Sequence, residues 1–555
     1  MIKTPPTNIA AYLPDMAGRQ PDTPAIHCPV GQDGQGRIRY VSLTFQELEQ
    51  QSNRAALGLE AAGIGRGVRT VLMVSPGPEF FALTFALFKV GAIPVLVDPG
   101  MGVKNLKVCL AEAQPQAFIG LPKAHLARVL LGWAKDSLKI LVTVGRRFGW
   151  GGTTLETLMA AFPADAAYAM AQPDREETAA ILFTSGSTGV PKGAVYSHGN
   201  FLAQVEALQR VYSIQPGEVD LPTFPLFALF APALGMSSVI PDMDFTRPAS
   251  VDPEKIIAAV QQFKVTNMFG SPALINRVGR YGAEQGTRLP SLRRVISAGA
   301  PVPANVLARF AEMLGPETQI FTPYGATESL PVCSIGSREI LDETRTMTDA
   351  GKGVCVGLPV PGIQVEVIRI SDAPIVTWSD SLKVSPGEIG EIVVKGPQVT
   401  ASYFNRDEST RLAKIADPER GGFFHRMGDL GYCDGIGRFW FCGRKSHRVI
   451  TANGDLFTIP CEAIFNTHPK VFRTALVGVG ESGQQRPVLC VELEQGTQKS
   501  EQEQIRQQLF ELGQGAEITR SIEQILFHPA FPVDIRHNAK IFREKLAVWA
   551  AKETA

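Results

Sequence analysis

The sequence predicts an α/β protein with a large N-terminal domain and a smaller α+β C-terminal domain. Three observations lead to this prediction. Strand and helix patterns alternate up to about residue 180, short strands separated by Gly and Pro follow from about 353 to 442, and a compact α+β pattern closes the chain. A chain of 555 residues is also too long for one hydrophobic core, so two or more domains are expected.

The N-terminal part repeats a strand, helix, strand order that is typical of a parallel sheet. Apolar residues at helical spacing run from Phe45 to Leu59 and from Pro78 to Val90. Short apolar strands are predicted at Thr70 to Val74 and at Ala92 to Val97. These lengths indicate a βαβ unit, in which the two strands lie parallel.

A second series of strands and helices follows in the middle of the chain. Asn200 is predicted to be the N-cap of a helix with one apolar face. The next predicted strands, Val265 to Phe269, Leu292 to Ser297 and Gln319 to Thr322, end in small residues, and a helix is predicted from Pro303 to Leu314. Open α/β sheets bind ligands at the carboxyl ends of their strands, so we expect a site there.

Beyond residue 350 the pattern of the sequence changes. Segments such as Gln364 to Arg369 and Gly390 to Lys395 predict a small antiparallel β subdomain at about 353–442. We therefore expect an N-terminal domain of residues 1–443 and a C-terminal domain of residues 444–555, joined at 443–446. The C-terminal elements are predicted as strand 474–480, strand 487–493, helix 501–512, strand 524–528 and helix 541–551.

Composition and charge argue against several kinds of partner and site. Lys plus Arg number 54 and Asp plus Glu number 54, so the net charge is zero and no nucleic-acid partner is expected. The 8 cysteines form no CxxC pair, which predicts reduced thiols rather than a zinc site. The N-terminus has no secretory signal pattern, and the most apolar helix candidate is about half the ~20 residues that a membrane span needs. We therefore predict a cytoplasmic protein without a transmembrane segment.

A loop between two apolar runs, Ala179 to Phe183 and Gly193 to Tyr196, is the most informative stretch of the chain. Its glycines allow tight turns and a close approach of backbone N–H groups to a ligand. Its hydroxyl groups add donors and its lysine adds a positive charge, so the loop is suited to a polyphosphate. The predicted binding residues are Thr184, Ser185, Gly186, Ser187, Thr188, Gly189 and Lys192.

This loop differs from the phosphate loop of ordinary ATPases, in which Gly-Lys-Ser/Thr opens a helix, because Lys192 stands between Pro191 and Gly193. It resembles instead the phosphate loop of the AMP-forming adenylating enzymes, which include acyl-CoA synthetases, luciferases and adenylation domains. The resemblance implies ATP and Mg²⁺ as cofactors. It also implies layered α/β sheets with a small β-barrel subdomain, followed by a mobile C-terminal lid.

Four further segments match this family in the family's order. The first is Tyr324-Gly325-Ala326-Thr327-Glu328. The resemblance implies that Tyr324 stacks on the adenine, that Thr327 contacts the α-phosphate and that Glu328 holds Mg²⁺. A carboxylate suits this role because a hard cation that bridges phosphates prefers oxygen ligands and water.

The second and third segments complete the implied nucleotide site. The segment Ser297 to Pro301 has small residues that leave room for the purine, and Asp429 resembles the carboxylate that accepts both ribose hydroxyls. Arg444 resembles the residue at the ribose and the hinge. The contacts expected from the first of these segments are Gly299, Ala300 and Pro301.

The fourth segment, residues 532–546, aligns Lys540 with the family's C-terminal catalytic lysine. Attack of a carboxylate on phosphorus builds negative charge on phosphate oxygens, and a mobile ammonium group stabilises that charge. The family usually has glycine before this lysine, whereas this chain has Ala539.

Two other departures concern the second half-reaction. The family often reads Pro-Leu-Phe-His where this chain has Ala228, and acyl-CoA synthetases often carry an acidic residue where this chain has Ser446. Both put CoA in doubt as a second substrate. The residues around Ala228, above all Phe227 and Phe230, are apolar and predict either a pocket for a long hydrocarbon or plain core.

Over its full length the chain looks most like the β-lactone synthetases of bacterial long-chain olefin biosynthesis. This resemblance implies adenylation of a long-chain 2-alkyl-3-hydroxy fatty acid, followed by attack of its own 3-hydroxyl to give a β-lactone, AMP and pyrophosphate. Other enzymes of that pathway are the implied protein partners. A fatty acyl-CoA ligase is the first alternative, and a catalytically inactive nucleotide-binding scaffold is the second.

Overall fold

In the computed structural model of the chain, residues 6–184, 191–533 and 541–554 are described. Up to residue 160, strands alternate with helices as the sequence predicts. The strands are β1 (Pro24–Gln32), β2 (Ile38–Thr44), β3 (Arg69–Met73), β4 (Ile93–Leu96), β5 (Ala117–Gly120), β6 (Ile140–Thr143) and β7 (Thr153–Thr154). The helices are α1 (Tyr12–Arg19), α2 (Phe45–Ala61), α3 (Pro78–Lys89), α4 (Val103–Ala113), α5 (Pro122–Leu131) and α6 (Leu155–Ala160).

The middle of the chain continues the same alternation. Its strands are β8 (Thr178–Thr184), β9 (Lys192–Ser197), β10 (Val219–Pro222), β11 (Ser237–Val239), β12 (Asn267–Phe269), β13 (Arg294–Ile296) and β14 (Gln319–Phe321). Its helices are α7 (His198–Tyr212), α8 (Pro225–Ala228), α9 (Phe230–Ala233), α10 (Pro253–Gln262), α11 (Pro272–Glu284) and α12 (Ala304–Ala311).

Short strands dominate the next part, as its sequence predicts. The strands are β15 (Tyr324–Ala326), β16 (Ser329–Ser334), β17 (Val354–Pro359), β18 (Gln364–Ile368), β19 (Gly390–Lys395), β20 (Ser402–Tyr403), β21 (Lys414–Ala416), β22 (Phe423–Cys433) and β23 (Phe439–Arg444). The helical turns between them are α13 (Ser337–Glu339), α14 (Arg345–Asp349) and α15 (Asp407–Ala413).

The last part of the chain is a small α+β unit. It contains β24 (Val449–Thr451), β25 (Gly454–Leu456), α16 (Thr458–Phe465), β26 (Val471–Val479), β27 (Arg486–Leu493), α17 (Gln502–Gln514), β28 (Gln524–Phe527) and α18 (Arg543–Glu553). Two apolar clusters in this unit consist only of residues that follow Arg444. The unit therefore has its own core, and the domain boundary at 443–446 stays a prediction.

Two large sheets form the layers of the N-terminal part. One has the order β14-β13-β12-β10-β11-β1-β2 and the other β20-β9-β8-β4-β3-β5-β6-β7. In the first sheet β10 to β14 and β1 pair in parallel, so β10, β12, β13 and β14 end at the same edge. The largest apolar cluster includes the buried apolar residues of α3, the helix that the sequence predicts from Pro78 to Val90.

The antiparallel β subdomain begins earlier than the sequence predicts. Its sheet has the order β15-β16-β17-β23-β22-β19-β18, with β21 on β22, and so takes in residues from Tyr324 onward. Among the described residues the pairing is an open path rather than a closed barrel. The sheet places β22 and β23 beside the ligand-binding edge of the first sheet.

One local prediction is wrong. The N-cap of α7 is Ser197, and Asn200 is the third residue of the helix. The Ser197 hydroxyl accepts a hydrogen bond from the Asn200 N–H, and the Asn200 side chain accepts one from the Ser197 N–H. This reciprocal capping box satisfies two backbone donors at once, which a single cap at Asn200 could not do.

Candidate active site

A cavity of about 530 Å³ lies where the carboxyl ends of β12, β13 and β14 meet the antiparallel β subdomain. One end is polar and is bounded by all five residues from Tyr324 to Glu328 and by Arg444. The other end is apolar and is bounded by aromatic side chains that include Phe227 and Phe230. The cavity can therefore hold a polar and an apolar ligand, or two parts of one ligand, in contact.

The turn that contains Thr327 and Glu328 is held by two tyrosine hydroxyls. Tyr196 on β9 donates to the backbone carbonyl of Thr327, and Tyr403 on β20 donates to Glu328 Oε1 at 2.7 Å. The Thr400 N–H donates to the Glu328 carbonyl at 2.9 Å. Burial, and then the charge of Glu328, raises the pKa of Tyr403 far above its usual value, so this hydroxyl remains a donor at neutral pH.

Three predicted nucleotide contacts meet through one hydrogen bond and one ion pair. The Tyr324 hydroxyl donates to Asp429 Oδ2 at 2.7 Å, and Arg444 Nε lies 3.1 Å from Asp429 Oδ1. Asp429 and Arg444 face each other across β22 and β23, which explains their pairing. The charge of Asp429 is the main cause of the raised pKa of Arg444, and burial is the main cause of the raised pKa of Tyr324.

The side of the cavity near Glu328 is basic. Lys192 Nζ lies 5.3 Å from the centre of the Tyr403 ring. Burial lowers the pKa of Lys414 to about 7, and Lys414 donates to the carbonyl of Thr400. Burial and the neighbouring Lys414 lower the pKa of His425 well below its usual range, so His425 is neutral at pH 7. An anion placed here would meet the charge of Lys192 and of a partly protonated Lys414, while the neutral His425 adds no charge.

Much of the predicted phosphate loop lies outside the described residues. Thr184 and Lys192 are register partners at the ends of β8 and β9. The predicted contacts at residues 185–189 and the predicted catalytic Lys540 fall in the undescribed segments 185–190 and 534–540. Their roles stay predictions.

The segment after β13 reaches the cavity with only part of its length. Ala298 and Gly299 line the cavity, and Gly299 has φ of 100°, a conformation that glycine adopts without strain. Ala300 is half-buried and Pro301 is exposed, and neither is among the lining residues. The strand end therefore presents backbone, rather than side chains, to a ligand.

Of the three predicted hydrocarbon-binding residues, two line the cavity and one does not. Phe227 and Phe230 are three residues apart, share a face and line the cavity, and the Phe227 ring centroid lies 4.4 Å from that of Phe269. Ala228 points elsewhere, is fully buried in the largest apolar cluster and is not among the lining residues. The apolar end of the cavity is thus aromatic, while Ala228 packs in the core.

The predicted hinge connects β23 to the C-terminal unit. Gly443 has φ of 125°, and a Cβ there would lie 2.5 Å from the Thr458 hydroxyl, so the position requires glycine. Lys445 donates to Glu391 at 3.2 Å and to the Ser371 carbonyl at 2.7 Å, whereas Ser446 is exposed. At the junction, therefore, Lys445 is held by hydrogen bonds and the next residue, Ser446, is exposed.

Glu328 is the carboxylate that the family resemblance assigns to Mg²⁺. Within 6–184, 191–533 and 541–554, no group of three or more His, Cys, Asp or Glu side chains could hold a metal ion. A single carboxylate fits a magnesium ion whose other ligands are phosphate oxygens and water. In the same ranges, no helix is long and apolar enough to cross a membrane.

Sequence reasoning missed four residues around Glu328: Tyr196, Tyr403, Lys414 and His425. The signal for the two tyrosines is the pairing of β20 with β9, which joins segments about 200 residues apart. No local pattern in the sequence reveals that pairing. Lys414 and His425 are register partners on β21 and β22, so their contact also depends on a sheet register.

Comparison with known proteins agrees with the cavity's chemistry. The model of a family described as AMP-binding enzyme matches residues 13–404. The chain is 54% identical over 550 residues to an olefin beta-lactone synthetase of Xanthomonas campestris pv. campestris, covering 98% of both chains. It is 54% identical over 553 residues to an olefin beta-lactone synthetase of Stenotrophomonas maltophilia, covering 99% of both.

The fold also matches a solved structure. An amide bond synthetase from Marinactinospora thermotolerans superposes with a TM-score of 0.79 at 22% identity, covering 98% of this chain and 99% of that one. At this identity the likeness concerns the fold. It confirms the predicted α/β class with a large N-terminal and a small C-terminal part.

Proposed function

Since this chain belongs to the AMP-binding enzyme family, we propose that it is an AMP-forming ligase that converts a long-chain 2-alkyl-3-hydroxy fatty acid into a β-lactone. The observation that supports this best is the two-ended cavity, which joins Tyr324 and Arg444, both in contact with the buried Asp429 behind them, to an aromatic pocket. The identity of 54% with two olefin beta-lactone synthetases over nearly the full chain supports the choice of substrate.

In the first half-reaction, a carboxylate oxygen of the fatty acid attacks the α-phosphorus of ATP and pyrophosphate leaves. Asp429 orients the ribose, because one carboxylate can accept hydrogen bonds from both hydroxyls of a cis-diol. Thr327 lies on a turn fixed by Tyr196, so its contact to the α-phosphate needs no rearrangement. Lys540 supplies a positive charge to the phosphate oxygens as charge builds on them.

Mg²⁺ would be held by Glu328 and would neutralise charge on the transferring phosphates. The Tyr403 hydroxyl fixes one oxygen of Glu328, which leaves the other for the ion. Lys192 and the protonated form of Lys414 lie on the same side and favour the binding of the pyrophosphate group, whereas the neutral His425 adds no charge.

In the second half-reaction, the 3-hydroxyl oxygen attacks the activated acyl carbon. A carbon–oxygen bond forms and closes the four-membered ring, the hydroxyl proton is released, and AMP leaves with the electron pair of the broken acyl–phosphate bond. The cleavage of the mixed anhydride drives formation of the strained ring. Because the nucleophile belongs to the same molecule, the bound geometry replaces a bimolecular encounter.

One end-point assay tests the function. The protein is incubated with MgATP and a 2-alkyl-3-hydroxy fatty acid, with and without CoA, and the products are identified by mass and infrared spectroscopy. We expect AMP, pyrophosphate and a product that has the mass of the acid minus one water and a strained-lactone carbonyl. Acyl-CoA as the main product would replace the lactone synthetase with an acyl-CoA ligase, and the absence of AMP would favour an inactive scaffold.

The cellular setting belongs to the same proposal. We place the protein in the cytoplasm, where ATP is available and thiols stay reduced, as its 8 free cysteines require. Its partners are then small molecules, namely ATP and the hydroxy acid. An association with other enzymes of an olefin-forming pathway stays a prediction.

A further inference from the structure

Two polar side chains on the first sheet are among the residues that line the cavity. Asp220 on β10 and Asn267 on β12 are register partners and both line the cavity. They lie two residues below Pro222 and Phe269 on the same strands, and therefore on the same face of the sheet and farther from the nucleotide end. Asn267 is the register partner of Arg294 on the neighbouring strand β13. Ala298 lies four residues after Arg294, which is about 13 Å along the strand at ~3.3 Å per residue.

The two side chains form an incomplete hydrogen-bonded pair. Asn267 Nδ2 donates to Asp220 Oδ1 at 2.5 Å, and both residues are 4% exposed. Asn267 Oδ1 is buried and has no hydrogen-bond partner in the part of the chain that the structure describes. A buried acceptor without a protein partner normally has water as its partner.

Burial and the groups around Asp220 bring its pKa to about 7, so it is about half ionised at pH 7. Burial raises the pKa of Asp220 to about 7, which outweighs the hydrogen bond from Asn267 and the charge of Arg294. The other charged group that faces it, Glu218, raises this pKa further. Arg294 and Glu218 form a buried ion pair at 2.5 Å, so each is already compensated.

We propose that Asp220 and Asn267 form a polar end-stop that limits the length of the hydrocarbon tail that the cavity accepts. This inference rests on the proposed function, which places that tail in the aromatic arm. A tail that reaches the pair displaces its water and leaves polar atoms unpaired, whereas a shorter tail leaves that water in place. The loss corresponds to about a tenfold weaker binding for each group left unpaired.

The end-stop has a pH dependence of known sign. An alkyl tail excludes the ionised carboxylate more strongly than the neutral acid. A long acid therefore binds best below pH 7, and its KM rises by up to about tenfold from pH 6 to pH 8 as Asp220 ionises. A short acid measured at the same pH values is the reference, because it shares every step except contact with the pair.

The experiment measures the KM of a homologous series of 2-alkyl-3-hydroxy acids, with AMP formation as the readout. In the double variant Asp220→Leu, Asn267→Leu, we expect the ratio of long-chain to short-chain KM to fall by about tenfold. Asp220→Asn keeps the polar stop but loses the titration, so its ratio should stay high and become independent of pH. Thr223→Val is the matched control, since the Thr223 hydroxyl also lines the cavity but donates to the Phe269 carbonyl.

The outcomes separate this inference from the proposed function. AMP formation with no change of the long-to-short ratio, either in the double variant or with pH in the native protein, overturns the end-stop alone. A protein that forms no AMP from any acid overturns the proposed function. If the double variant does not fold, the pH series on the native protein and on Asp220→Asn decides the question.

Discussion

Replacement of Tyr403 by Phe tests the geometry at Glu328. The change removes one hydroxyl and keeps the ring that lies beside Lys192. The Tyr403 hydroxyl lies 2.7 Å from Glu328 Oε1, so this is a short bond between a buried donor and a carboxylate. Without it, Glu328 can rotate away from the position in which it would hold Mg²⁺.

Hydrogen bonds to charged groups contribute about 1.5–3 kcal/mol, which corresponds to about a ten- to hundredfold effect. We expect the rate of acid-dependent AMP formation to fall by that factor and the half-saturating Mg²⁺ concentration to rise about tenfold. A pyrophosphate-release assay at a series of Mg²⁺ concentrations measures both quantities. Thermal unfolding of the variant checks that the fold is retained.

Tyr212→Phe is the control for the loss of a buried tyrosine hydroxyl. The Tyr212 hydroxyl forms a hydrogen bond with Ser334 Oγ at 3.2 Å, and Ser334 is not among the residues that line the cavity. This variant should keep the native dependence on Mg²⁺. If Tyr403→Phe also keeps the native rate and Mg²⁺ dependence, then Tyr403 does not position Glu328 for catalysis and the assignment of Glu328 to the metal loses its structural support.

Three further predictions concern the lid, the hinge and the second nucleophile. Lys540→Ala should abolish AMP formation while folding and ATP binding stay largely intact, because the lysine acts on charge that develops during the reaction; full activity would show that another cation does this. Ser446→Pro restricts φ at the exposed pivot and should lower kcat more than nucleotide affinity, and an unchanged kcat would remove the hinge from the mechanism. An acid without the 3-hydroxyl should stall as acyl-AMP or hydrolyse slowly, with no consumption of CoA, and formation of its CoA ester would contradict ring closure by the substrate's own hydroxyl.

The family and the fold class could be predicted from the sequence because their signals are local. The segment Tyr324 to Glu328 and the strand and helix periods are each readable within about 15 residues, and the family match confirms the family that this segment indicates. The meeting of Tyr324, Asp429 and Arg444 could be expected only through the resemblance, since 105 residues separate the first two. The hydrogen bond between them now gives that expectation a physical basis.

Features that depend on strand register could not be predicted. The contact of Tyr403 with Glu328 exists because β20 adds to β9 at the edge of a sheet, and no periodicity in the sequence encodes that choice. The same limit applies to a helix, because Phe227 lines the cavity whereas the next residue, Ala228, is buried in the core. At α7 the sequence predicts Asn200 as the N-cap, whereas the structure has Ser197 there in a reciprocal capping box with Asn200.

In the proposed mechanism, separate parts of the chain have different roles. The nucleotide end is held by bonds between the N-terminal sheets and the β subdomain, so variants such as Tyr403→Phe should change metal dependence and rate together. The predicted catalytic lysine comes from the C-terminal unit, which has its own core, so its loss should change rate without changing nucleotide binding. In the proposed function the hydrocarbon reaches Asp220 and Asn267, so these two residues should change the choice of acid while adenylation of short acids continues. The three variants should therefore have three different effects: a changed metal dependence, a lower rate with unchanged nucleotide binding, and a changed choice of acid.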